Sequence, residues 1–117
     1  EIYLLHKLAE LNDLEFIKKR ATALFTKNSD NLNFELQKYI GDILSDNLES
    51  NEFISYCNEL FKDYKPIGLL YSIVRVYDEL GESDKAISLI EDFLNEYPQN
   101  NELIQLYDYL IQINSIN

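Results

Sequence analysis

The chain has 117 residues, with 21 acidic against 10 basic side chains, a net charge of −11. That length suits one domain with a core of its own. The charge repels phosphate backbones and anionic lipid, so nucleic acid and membrane surfaces are disfavoured and a basic peptide or protein partner is favoured.

The first segment, 1–11, repeats apolar residues at Ile2, Leu5 and Ala9, a helical spacing. It begins at Glu1 inside that pattern, with no capping residue and no Met in the chain, which predicts a fragment of a longer array. A second helical pattern runs from Glu15-Phe16-Ile17 to Leu24-Phe25, and the turn formers Asn28-Ser29-Asp30-Asn31 close it. A third helix is expected over 33–45. A long turn, Ser45 to Ser50, leads to a fourth from Glu52-Phe53-Ile54 to Leu60-Phe61, ended by Pro66.

Over 67–80, Leu70, Ile73, Val74 and Tyr77 form one apolar face. Gly81 can take the left-handed conformation that ends a helix, and Ser83 or Asp84 can cap the next. That helix carries Ala86, Ile87, Ile90, Phe93 and Leu94 and stops at Pro98. A last helix is expected over 101–114.

These seven helices repeat at an interval of 34 residues. The columns are Ile2, Leu36, Leu70 and Ile104; Leu5, Tyr39, Ile73 and Tyr107; and Ala9, Ile43, Tyr77 and Ile111, all apolar or aromatic. A hairpin that cannot bury its stripe alone needs stacked neighbours. The 67–100 hairpin resembles a tetratricopeptide repeat (TPR). That family's pattern has Trp, Leu, Gly and Tyr where this chain has Leu70, Ile73, Val74 and Tyr77, and the turn Gly81-Glu82, the run Asp84-Lys85-Ala86 and Pro98 match it. The resemblance implies an all-α, right-handed TPR-like α-solenoid in a single domain, 1–117. Its repeats would be about 1–32, 33–66 and 67–100, followed by the terminal helix 101–114.

No constellation for catalysis is visible. His6 and Cys57 are each the sole residue of their kind, no cluster has metal-ligand spacing, and no glycine-rich loop could cradle a phosphate. Both read as structural, Cys57 lying on the apolar stripe of its helix. Asp78-Glu79 and Glu91-Asp92 are sequence neighbours, which diverge on a helix rather than forming a carboxylate dyad. The expectation is a protein that is not an enzyme and needs no cofactor or metal. A lone cysteine excludes an internal disulfide, and with the absence of Asn-x-Ser/Thr it fits a cytoplasmic setting.

In TPR arrays the first helix of each hairpin lines a concave groove that holds the partner. The resemblance carries that role to Tyr3, Lys7, Gln37, Lys38, Tyr71, Arg75, Asp78, Gln105 and Tyr109. Tyrosines offer contact area with a polar tip, and amides can hydrogen-bond a peptide backbone. The asparagine-and-lysine clamp of chaperone-binding members is not reproduced. The terminal helix is apolar enough that another helix follows it or a second copy pairs with it, through Leu106 and Leu110.

The first functional expectation is therefore a protein–protein interaction scaffold or adaptor. The alternative is the peptide-sensing domain of a bacterial transcription regulator. A third rests on Tyr97-Pro98 and Glu102-Leu103-Ile104-x-Leu106, which loosely resemble the helical array of the bacterial lipopolysaccharide assembly protein B family. Members of that family carry a membrane anchor and a cysteine-rich metal knuckle, and neither motif occurs here.

Overall fold

A computed structural model of the chain describes residues 13–27 and 33–116. The expected helix 1–11, with Tyr3, His6 and Lys7, lies outside the described residues. Every regular element among those described is a helix: α1 (Leu14–Lys27), α2 (Phe34–Asn47), α3 (Ser50–Leu60), α4 (Leu69–Glu79), α5 (Ser83–Glu96) and α6 (Asn101–Ile116). Their ends follow local chemistry. Asn33 caps α2 by accepting the Leu36 amide at 2.8 Å, and Asn100 caps α6 by accepting that of Leu103 at 3.1 Å. Gly81 ends α4 with φ of 73°, and the Glu82 amide donates back to the Tyr77 carbonyl at 2.8 Å. Neither Ser83 nor Asp84 caps α5. Glu82 holds the capping position without a side-chain bond, and Ser83, the first helical residue, donates its hydroxyl to Asp78 Oδ1 at 3.1 Å.

The contacts divide the chain into two compact units, residues 1–73 and 74–117, with the division inside α4. In the first unit, α2 packs against both α1 and α3. Lys18 meets Glu52 and Thr22 meets Tyr56, one turn apart on each helix, so α1 and α3 run side by side in the same direction. Ile17, Ala21, Phe25, Ile40, Leu44, Phe53, Cys57, Leu69 and Leu70 fill its core. In the second unit α5 packs against α6, and Ala86, Ile90, Phe93, Leu103, Leu106 and Leu110 are buried.

Burial corrects the repeat register. Leu36 and Tyr39, expected inside, are 37% and 51% exposed, while Ile104 and Ile111 are 38% and 41% exposed. The buried columns are instead Ile40, Ile73 and Leu106, then Leu44, Tyr77 and Leu110, and finally Leu70 and Leu103, all at an interval of 33. A slip of one residue turns a helix face by about 100°, which carries the expected column onto the flank. In the other helices the buried pairs Ile17 and Ala21, Phe53 and Cys57, and Ala86 and Ile90 each stand four residues apart. Phe16 is therefore not the partner of Phe53; it is 58% exposed.

Candidate functional site

The start of α2 presents Phe34 and, one turn on, Lys38, and the first turn of α4 presents Tyr71. Two glycines allow these helices to approach. A Cβ on Gly68 would lie 2.5 Å from Gln37 Cβ and 2.8 Å from the Phe34 carbonyl oxygen, so the backbone entering α4 rests directly on α2. A Cβ on Gly41 would lie 2.7 Å from Ser72 Oγ. Two side-chain bonds latch the contact at either end. Gly68 N–H donates to Gln37 Oε1 at 2.8 Å, and Ser72, buried, donates its hydroxyl to Asp42 Oδ1 at 3.2 Å.

The latch sets Tyr71 edge-on to Phe34, with ring centroids 5.4 Å apart at 77°. The Lys38 ammonium stands over both rings, 4.9 Å from the Phe34 centroid and 5.5 Å from that of Tyr71, and pairs with Glu35 at 3.4 Å. This is a half-buried platform of two aromatic faces with one cation, held by the contact between α2 and the start of α4.

The expected groove residues fare differently. Lys38 and Tyr71 are brought together, with Phe34, which sequence reasoning missed although it stands one turn before Lys38. Gln37 is adjacent but its amide oxygen is taken by the Gly68 backbone, so it positions α4. In the second unit Arg75, Asp78, Gln105 and Tyr109 are exposed, Asp78 accepting from Ser83. Leu106 and Leu110 are buried at 8% and 4% exposure, so they belong to the core of their unit and offer no surface for self-association.

A concavity of about 570 Å³ lies between α1 and α3 and is lined by Lys18, Thr22, Tyr56, Leu60 and Tyr64 among others. Thr22 donates its hydroxyl to the Lys18 carbonyl at 2.8 Å, so Tyr56 donates to Thr22 Oγ1 at 2.9 Å. Burial pushes the Tyr56 hydroxyl up to about 12 and the neighbouring Cys57 thiol up as well. Lys18 hydrogen-bonds Glu15 and Glu52, at 3.1 and 3.3 Å, which raises it. Each shift holds the group in its resting protonation state: a neutral phenol, a neutral thiol, a charged ammonium. None supplies a nucleophile near neutral pH. Among the described residues no group of three His, Cys, Asp or Glu is placed to hold a metal ion, and no helix is long and apolar enough to cross a membrane.

Compared with family models, curated proteins and solved structures, the chain matches none.

Proposed function

We propose that the chain is a non-catalytic helical-repeat module of the TPR kind that holds a peptide or protein segment on the platform of Phe34, Lys38 and Tyr71. The observation that carries this reading is the Lys38 ammonium poised over two partly open aromatic rings on latched helices. Such a surface offers apolar contact, a cation and two aromatic rings while losing little conformational freedom on binding. Support for the repeat arrangement comes from α1 and α3, which run in the same direction and touch through residues 34 apart. That is how equivalent helices of successive hairpins meet in a stack.

The test is an unbiased peptide-display selection against the chain, with the winners mapped by backbone amide shifts. The expected result is a consensus peptide whose shifts concentrate at 34–38 and 68–72, and whose affinity falls up to about tenfold in Lys38→Gln. Winners that leave those amides unmoved would overturn the assignment.

A further inference from the structure

The column Ile104, Tyr107 and Ile111, left on a flank by the register, forms a half-exposed apolar stripe at steps of three and four along α6. Tyr107 ties this stripe to α5, because its hydroxyl donates to Glu91 Oε2 at 3.2 Å. Beside it a shallow cleft of about 600 Å³ is lined by Ser88, Glu91, Asp92, Leu94, Asn95 and Tyr107. An apolar rail with a carboxylate alongside it suits an amphipathic segment laid along the groove.

The charge distribution decides what that segment is. Residues 86–117 hold Glu91, Asp92, Glu96, Glu102 and Asp108 and no lysine, arginine or histidine. Lys85, the one cation on α5, pairs with Glu82 at 2.8 Å, so an acidic segment would meet these carboxylates with little to offset them. A second copy of this face would bring five more of its own, which argues against pairing like with like. A segment bearing lysine or arginine supplies the missing sign. We infer that the α5–α6 face docks a Lys/Arg-bearing amphipathic segment of a partner protein, its apolar residues on Ile104, Tyr107 and Ile111 and a cation on Glu91. This surface is separate from the platform of Phe34, Lys38 and Tyr71, and neither reading depends on the other.

The probe is a synthetic amphipathic peptide with leucines along one helical side and lysines along the other, beside a counterpart with glutamates in place of the lysines. The lysine peptide is expected to shift the amides of Glu91, Tyr107 and Ile111, and the glutamate peptide to bind at least about tenfold more weakly. A chain of charge −11 will attract any cationic peptide to some degree, so the deciding variant keeps its charge. Ile104→Ser with Ile111→Ser, both at partly exposed positions, should weaken the lysine peptide about tenfold with helical circular dichroism unchanged. Glu91→Gln should weaken it and flatten its salt dependence. Equal binding by the double serine variant would mean attraction by net charge alone and would overturn the inference. So would shifts confined to 34–38 and 68–72, which would assign the peptide to the other surface. A concentration-dependent dimer abolished by the serine pair would overturn it in favour of a second copy.

Discussion

The hydroxyls of Thr22 and Tyr56 stand 2.9 Å apart although the two residues are 34 positions apart in sequence. Because Thr22 spends its own hydrogen on the Lys18 carbonyl, this bond exists only while Tyr56 keeps its proton. The ordinary tyrosine value is about 10, and the folded value is about 12. Between them the unfolded chain has released a proton that the folded chain retains, so the Tyr56 contribution to stability is intact below pH 10 and falls as pH rises. The loss is about 1.4 kcal/mol per unit. Cys57, also raised by burial, adds to the decline in the same direction. Urea unfolding at pH 9, 10 and 11 should show a steeper loss in the wild type than in Tyr56→Phe, and tyrosinate absorbance should show a late-titrating ring that Tyr56→Phe removes. Parallel slopes for the two proteins would refute the buried phenol.

Gly68→Ala should destabilise the first unit by about 1–3 kcal/mol, since the new methyl meets the α2 backbone as well as Gln37. Gly81→Ala has open space around it, so its cost is conformational alone, about 1–2 kcal/mol from the left-handed φ. Gly81→Asn, which tolerates that region, should recover part of the loss, whereas Gly68→Asn should be worse than alanine. Denaturant midpoints of the four variants separate steric from backbone cost.

The register makes adjacent residues unequal. Leu103→Ala removes a fully buried side chain from the second unit and should cost about 2–5 kcal/mol. Ile104→Ala, one residue on and 38% exposed, should cost less than about 1 kcal/mol. Comparable losses at the two positions would restore the 34-residue column.

Lys38→Gln should lower stability by less than about 1 kcal/mol, because its cation–π contacts are partly solvated and its pairing with Glu35 is exposed. A much larger change in the thermal midpoint would make Lys38 a structural residue instead of a binding one.

The helices were legible because periodicity and punctuation agree: Gly81 and Pro98 fall at ends, with the apolar steps of three and four between, whereas Pro66 lies in the connection six residues past the end of α3. The register was not, for a reason visible in α6. Leu103-Ile104, Leu106-Tyr107 and Leu110-Ile111 are neighbouring apolar pairs, so intervals of 33 and 34 both pass through apolar residues, and only burial separates them. Lys38 and Tyr71 could be placed on one face from their helical positions. The role of Gln37 could not, since its amide oxygen is taken by the Gly68 backbone thirty-one residues away. The concavity between α1 and α3 was equally hidden, because it arises where residues 34 apart come side by side.

Cys57 is the chain's one thiol, fully enclosed within the first unit. Its rate of exchange with an added disulfide reagent is therefore a clock for the opening of that unit, with no competing signal from the second. The protein carries its own reporter of how often its first unit opens.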